Sequence, residues 1–408
     1  MSPRQPQFGP HLAGARRRPL WPAYVAGFTA QLGVWAGAIA VPLQVQTLGG
    51  SVVEVGGIFT IRFGLGAVLA LPAGSLADAW GTRRVLAFGV GGSALASLIP
   101  ILGVLSSSVL PLYAWAIVSG LTSAMIWPAN GAYVAAHADS DRRGSAFGWL
   151  TFSSNTGSGI GPAIGGLTWD TAGAIPTYLA AAVIGSIALV GPLFLAGSVR
   201  GRVDLRSLRA SIGTVARYRL ILGCWAVALG LGFSEGALRA IFPLFGTSIG
   251  LSASSIGWLL GILAVSNGLS RVPLGRVIDR RVMAPVAASI GCAFYSGTSA
   301  LLGFQSGFVG IAIVFVVGSV AVAFTHILLQ VTITNWAPAN LRATALGGYL
   351  MSDLAGIAGG PIIAGGVAER MGFGPGFATV AACGLLLAAV SVAILAPWRA
   401  ASRSGSLR

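Results

Sequence analysis

Four ionisable side chains fall near the middle of long apolar runs of this sequence: Arg62, Glu235, His326 and Asp353. Arg239 lies one helical turn outward of Glu235. A charge at the centre of a lipid bilayer costs about 2.5–3.5 kcal/mol on insertion scales, so residues of this kind are retained for a reason. A buried acid that can change its charge is what proton coupling requires. Glu235, Arg239, Asp353 and Arg62 are therefore the candidates for proton coupling, with Glu235 as the favoured acid and His326 as the next candidate.

Each of these residues also has a structural interpretation, and the sequence leaves both open. Glu235 and Arg239 are four residues apart, so they can pair on one helix face as a static ion pair. Asp353 could neutralise Arg62 across the molecule, and His326 could be an interior histidine whose hydrogen bonds are satisfied.

Other kinds of chemistry have no support in the sequence. The chain has no lysine, so it has no Gly-x-x-x-x-Gly-Lys loop for ATP. It also shows no catalytic triad and no metal-ligand spacing. We expect neither an enzyme nor a bound metal or cofactor.

Long apolar helices must position these charges. Of the 408 residues, 55% are hydrophobic and only 9% are charged, against about 25% charged in a typical soluble protein. A spanning helix needs about 20 apolar residues. The sequence predicts an all-α membrane protein with twelve transmembrane helices at 21–44, 52–76, 84–106, 109–136, 143–168, 174–197, 219–246, 253–274, 282–304, 308–335, 343–367 and 374–397.

The basic residues indicate how the helices are oriented. All 25 are arginine, and those between the apolar runs fall in every second gap, with Arg370 as the exception. This is the positive-inside pattern, and it predicts that both termini are cytoplasmic. The net charge of +15 then belongs to the membrane faces, so we expect no nucleic-acid partner.

Two short phrases occur twice, about 200 residues apart. Gly74 and Asp78 are repeated 201 positions later, and Arg143 with its following Ala146 is repeated 199 positions later. Such a duplication is typical of transporters built from two homologous halves. It predicts five parts: a cytoplasmic tail (1–19), a six-helix bundle (20–197), a cytoplasmic linker (198–218), a second six-helix bundle (219–398) and a cytoplasmic tail (399–408).

These phrases resemble motifs of the major facilitator superfamily, and the resemblance covers nearly the whole chain. The family motif G-x-x-x-D-(R/K)-x-G-x-(R/K)-(R/K) between helices 2 and 3 departs here at Ala79 but is otherwise matched by Gly74, Asp78, Gly81, Arg83 and Arg84. A second copy contains Gly275, Asp279 and Arg280. The resemblance implies that the two loops are latches that hold the halves in the outward-facing state.

The fifth helix resembles the antiporter motif of drug:proton exporters in the same family, through Gly157, Gly161, Pro162, Gly165 and Gly166. A glycine-rich packing face is the other interpretation. Two features of exporters are absent. Ala116 stands where exporters usually carry an arginine, and helix 1 lacks an acid. These departures favour an importer or uniporter.

The resemblance also implies that helices 1, 4, 7 and 10 surround a central cavity. Substrate contacts are then expected from Gln31, Trp35, Trp127, Asn130, His326 and Gln330. Aromatic rings with a few polar groups suit a mid-sized, largely apolar ligand. The expectation is a secondary transporter in the bacterial cytoplasmic membrane that exports a small amphipathic or apolar compound in exchange for protons. Its partners would be substrate, protons and lipid, and we expect a monomer.

Overall fold

The computed structural model describes residues 19–139, 142–195, 214–215, 217–280, 286–338 and 341–403. Within these ranges the regular secondary structure is helical, and no strand is present. Ten helical segments of the described chain are long and apolar enough to cross a membrane. The predicted all-α membrane fold is therefore confirmed.

Twelve helical units follow one another along the described chain, and we number them α1 to α12. The first half contains α1 (Trp21–Thr47), α2 (Val52–Trp80), α3 (Thr82–Ser106), α4 (Leu110–His137), α5 (Arg143–Ala172) and α6 (Ala174–Phe194). The second half contains α7 (Arg219–Ser248), α8 (Ala253–Arg280), α9 (Val286–Leu302), α10 (Phe308–Trp336), α11 (Arg342–Met371) and α12 (Phe373–Arg403).

Most of these units agree in position with the spans predicted from the sequence. Units α1, α3 and α6 are each interrupted once, near Ile39, Leu98 and Leu189. The ten candidate spans do not include α5 and α9, because α5 is rich in Gly, Ser and Thr and the apolar part of α9 is short. The arrangement is consistent with twelve spans in two bundles of six.

Two pairs of helices reverse direction through a single glycine. Gly173 lies between α5 and α6 with φ of 84°, and Gly372 lies between α11 and α12 with φ of 92°. Side chains rarely tolerate this backbone conformation, so glycine is the residue that permits so tight a turn. The two glycines are 199 residues apart, which is the offset of the sequence repeat.

Glycine also brings helices together within each half. On α5, Gly157, Gly161 and Gly165 lie against backbone carbonyl groups of α1, where an added methyl group would overlap them. In the second half, Gly356 and Gly360 lie in the same way against α7. Because lipid supplies little hydrophobic drive for helix association, such close backbone packing is the expected source of stability.

The two halves meet closely at one end of the molecule. There α5 contacts α8, since a methyl group on Gly166 would overlap the Ala253 carbonyl, and α2 contacts α11, since one on Gly56 would crowd the Pro361 carbonyl. We call this the closed end. The opposite end carries the arginine-rich loops, and we call it the arginine end.

Toward the arginine end the halves separate. Gly257 and Gly261 of α8 pack against α5, whereas Gly268 and Gly275, farther along the same face, have no described atom within 4 Å of a Cβ position. On α2 a Cβ on Gly64 would be 3.9 Å from the Ala358 side chain, an ordinary contact. The space between the halves therefore opens toward the arginine end.

Candidate substrate and coupling site

A cavity of about 420 Å³ lies between the halves. Four of the six residues that the sequence assigned to it are among its lining residues: Trp35, Trp127, His326 and Gln330. The other two are not. Gln31 accepts a hydrogen bond from the Trp35 indole nitrogen at 3.1 Å, and Asn130 is buried in α4. The lining combines broad aromatic faces with a few polar groups.

A chain of polar contacts runs along one wall of this cavity through three helices. Tyr349 Oη of α11 lies 2.5 Å from Nδ1 of His326 on α10. Nε2 of His326 lies 3.2 Å from Oε1 of Glu235 on α7, and Oε2 of Glu235 lies 3.2 Å from Nη2 of Arg239. Both oxygens of the Glu235 carboxyl group are therefore occupied, one by imidazole and one by guanidinium.

The predicted pairing of Glu235 with Arg239 is confirmed, because four residues along a helix bring these side chains together. The contact between His326 and Glu235 was not foreseen. It depends on how α10 packs beside α7, and the sequence carries no local signal for that. Tyr349 was missed for the same reason, although its hydroxyl also receives the Gln330 amide at 3.4 Å.

Asp353 lies one helical turn after Tyr349 and lines the same cavity. Its Oδ1 atom is buried and has no hydrogen-bond partner among the described residues. A buried acceptor without a partner is costly, and in a native protein it calls for an explanation such as a ligand or a proton.

Arg62 is only 4% exposed and does not line the cavity. Its Nε donates to Ser119 Oγ at 2.9 Å, and its guanidinium carbon lies 5.1–5.5 Å from the ring centres of Phe63, Trp115 and Trp35. Its Nη1 has no partner among the described atoms. This cation is stabilised by aromatic faces.

The hypothesis that Asp353 neutralises Arg62 is therefore wrong. No described carboxylate lies within 4 Å of Arg62, because the residue extends from α2 toward α4 inside the first half. It approaches Arg239 through Trp35, whose ring also lies 4.7 Å from the guanidinium carbon of that residue. One indole thus contacts a cation from each half.

Among the other polar residues that line the cavity are two, Asn267 and Arg271, that form a pair and that sequence reasoning did not assign to it. Arg271 of α8 donates from Nε to Asn267 Oδ1 at 3.0 Å, and both line the cavity. The spacing of four residues was the available signal. Because Arg271 is near the helix end, its side chain could equally be expected to reach the membrane face.

The predicted latches are only partly covered by the structure. The side chains of Gly74, Asp78, Asp279 and Arg280 lie outside the described part of the chain, as do residues 198–213 of the predicted linker. Arg83 and Arg84 are exposed in the first turn of α3, after Gly81 with φ of 89°.

A comparison with protein families gives one match over most of the chain. The model described as Major Facilitator Superfamily matches residues 23–332 and 224–407. An uncharacterized MFS-type transporter of Methanocaldococcus jannaschii is 25% identical over 266 residues, 63% of this chain and 67% of the relative. Multidrug resistance protein MdtG of Serratia proteamaculans is 26% identical over 251 residues, 59% of this chain. The chain spans 60% of the length of that relative.

Solved transporters share the fold. A nucleoside transporter, NupG, superposes with a TM-score of 0.74 at 15% identity, covering 92% of this chain and 98% of its own. A POT family transporter in complex with 5-aminolevulinic acid gives 0.76 at 13% identity, with 93% and 96% covered. A bacterial homolog of the human lysosomal transporter Spinster, inward-facing and occupied, gives 0.73 at 14% identity, with 94% and 96% covered. At these identities the likeness concerns the fold alone.

Proposed function

This chain belongs to the Major Facilitator Superfamily, a family of transporters rather than enzymes, and from that premise we propose that it exports a small amphipathic or apolar compound in exchange for protons. The observation that carries the proposal is the polar chain from Tyr349 through His326 and Glu235 to Arg239 on the cavity wall. A carboxyl group, an imidazole and a cation thus share the wall of the cavity, which supports substrate binding and coupling at one site.

Substrate binding is supported by the chemistry of the cavity. Its volume of about 420 Å³ is in the range of small-molecule sites. Trp35 and Trp127 offer flat apolar faces, and Gln330 offers an amide. MdtG is described as a multidrug resistance protein, which favours a compound of this kind.

Proton coupling is supported by the surroundings of Glu235. Arg239 balances the charge of an ionised Glu235, so a proton added to the cluster can be held by His326 as an imidazolium beside the same carboxylate. The unpartnered Oδ1 of Asp353 is a second place for a proton. We keep Glu235 as the favoured coupling acid, with His326 as its direct partner.

The alternative to efflux by antiport is import or uniport on the same fold. Ala116 is fully buried in α4 where the family's exporters usually carry an arginine, and this favours an importer or a uniporter on the same fold. Transport measurements with and without a proton gradient separate these possibilities.

The orientation completes the proposal. With the arginine end in the cytoplasm of a bacterial cell, as the positive-inside pattern predicts, the cavity described above would be open to the inside. Two bundles, 20–197 and 219–398, would rock about this cavity, joined by the linker 198–218. The opposite, outward-facing state would be held by two loops, one with Gly74 and Asp78 and the other with Gly275 and Asp279.

The test is transport of a panel of amphipathic compounds by the purified protein in proteoliposomes. We expect at least one compound to accumulate when a pH gradient is imposed and to stop accumulating when the gradient is collapsed with a protonophore. Equal movement with and without the gradient would favour a uniporter. No movement of any compound, in vesicles whose protein is correctly inserted, would contradict the transporter itself.

A further inference from the structure

Two acids at the closed end reach across from one half of the molecule to the other. Asp170 is near the end of α5, in the first half. Its Oδ1 accepts the backbone N–H of Ala253 at 3.1 Å, and its Oδ2 accepts the N–H and the hydroxyl of Ser254 at 2.7 and 2.6 Å. Ala253 and Ser254 begin α8, which belongs to the second half.

The same contact is built a second time in the opposite direction. Glu369 is near the end of α11, in the second half, and its Oε2 accepts the N–H of Val52 at 2.7 Å. Val52 is the first residue of α2, in the first half. Asp170 and Glu369 are 199 residues apart and Val52 and Ala253 are 201 apart, the two offsets of the sequence repeat. The pairs are therefore equivalent by the internal duplication.

These contacts satisfy backbone groups that the helices cannot satisfy themselves. The first N–H groups of a helix have no partner inside it, and its N-terminus carries partial positive charge. A serine caps each helix from within: Ser51 Oγ accepts the N–H of Glu54, and Ser252 Oγ accepts the N–H of Ser255, both at 3.1 Å. The earlier amides are left to the acid of the other half.

Glycine allows the acids to come this close. Gly166 precedes Asp170 by four residues and lies against the Ala253 backbone. In the other half, Gly365 precedes Glu369 by four residues and lies against the Val52 backbone. Four residues are about one helical turn, so glycine and acid share one helix face. Any side chain at the glycines would push the helices apart and lengthen the hydrogen bonds.

We propose that Asp170 and Glu369 are the two gate residues of the closed end. They stabilise the state in which the cavity opens toward the arginine end, and both contacts must break before the cavity can open on the other side. The transport role rests on the proposed function, but the closure itself is a property of the protein without substrate.

The two contacts differ in their number of hydrogen bonds. Asp170 accepts three hydrogen bonds and Glu369 accepts one. Hydrogen bonds to a charged group are stronger than those between neutral groups. Loss of Asp170 should therefore shift the balance between closed and open states more than loss of Glu369.

The experiment measures the distance across the closed end in purified protein without substrate. Spin labels are attached to cysteines at Ser107 and Ser306, two exposed loop positions in different halves, after Cys224, Cys292 and Cys383 are replaced by alanine. Asp170→Ala and Glu369→Gln are compared singly and together. We expect a longer-distance population to grow, with the open-to-closed ratio rising about tenfold for Asp170→Ala, less for Glu369→Gln and most for the double variant.

Asp139→Asn, an exposed acid near the arginine end, is the matched control and should leave the distances unchanged. If Asp170→Ala does not fold, the same distances are measured in Ser254→Ala, which removes one donor to Asp170 and leaves the backbone amides. An unchanged distance distribution in the double variant, with the protein monodisperse, would overturn the gate. Because no substrate is present, that result would leave the transport proposal standing, and a failure of transport would leave the gate standing.

Discussion

At the scale of single residues, the site depends on how two guanidinium groups are accommodated, that of the buried Arg62 and that of the partly exposed Arg239. Arg239 has a carboxylate partner in Glu235, whereas Arg62 contacts, among the described residues, a hydroxyl group and three aromatic rings. A planar guanidinium can stack on several rings at once, and a lysine ammonium cannot reproduce that geometry. Arg62 therefore fixes Trp35 from one side while Arg239 contacts the same ring from the other half.

We expect Arg62→Lys to destabilise the protein although it keeps the charge. Each cation–π contact is worth about 0.5–2 kcal/mol, so the loss should total about 2 kcal/mol and lower the thermal midpoint in detergent. Arg83→Lys, at an exposed position of α3, is the control and should have almost no effect. If both variants have the same thermal midpoint as the unmodified protein, the three aromatic rings do not stabilise this cation.

At the scale of helices, the glycine-rich motif of α5 is a packing surface. Gly157, Gly161 and Gly165 allow the α1 backbone to approach, and Pro162 with Gly166 faces α8. One helix thus contacts its own bundle on one side and the opposite bundle on another. The structure gives the motif a physical role in joining the halves, whichever substrate the family member carries.

Alanine substitutions on this helix should have effects of opposite sign. In Gly161→Ala the new methyl group would crowd the Leu32 carbonyl, so we expect a lower thermal midpoint and slower transport. In Gly148→Ala no described atom lies within 4 Å of the new methyl group, and alanine favours a helix by about 1 kcal/mol over glycine. Equal effects at the two positions would show that α5 does not pack as described.

Features that depend on one segment could be predicted from the sequence, whereas contacts between distant helices could not. Hydropathy is a property of each segment, so helix positions such as α2 and α7 were predicted within a few residues. The pair Glu235 and Arg239 was predicted because its partners are one turn apart. The contact of His326 with Glu235 joins residues 91 positions apart, and it follows from the packing of whole helices.

At the scale of the whole molecule, the internal duplication explains the closed end. Repeat-related acids cap repeat-related helices, each in the opposite half. From hydropathy alone, Asp170 and Glu369 are acids at the ends of two apolar helices. Neither the glycine positions nor the serine caps could show that their partners lie across the interface, because that depends on the relative placement of the two bundles.

In the proposed alternating-access cycle, this end is linked to the cavity through α11. The proposed gate residues Asp170 and Glu369 lie on α5 and α11, and the proposed coupling residue Glu235 lies on α7. Helix α11 also carries Tyr349 and Asp353. A displacement of α11 that releases Glu369 would therefore also move Tyr349, the partner of His326 Nδ1. In the proposed cycle this would be the physical route by which a change of charge in the cavity alters which end is open.

The most direct test of the account compares two kinds of transport by Glu235→Gln in proteoliposomes: accumulation driven by a pH gradient, and exchange of substrate down its own gradient. The glutamine keeps the size of the side chain and removes the charge that links His326 to Arg239. Asp353→Asn is measured alongside, and Asp139→Asn serves as the control acid. The account predicts that Glu235→Gln loses accumulation and retains exchange. Accumulation at the unmodified rate by both Glu235→Gln and Asp353→Asn would contradict it.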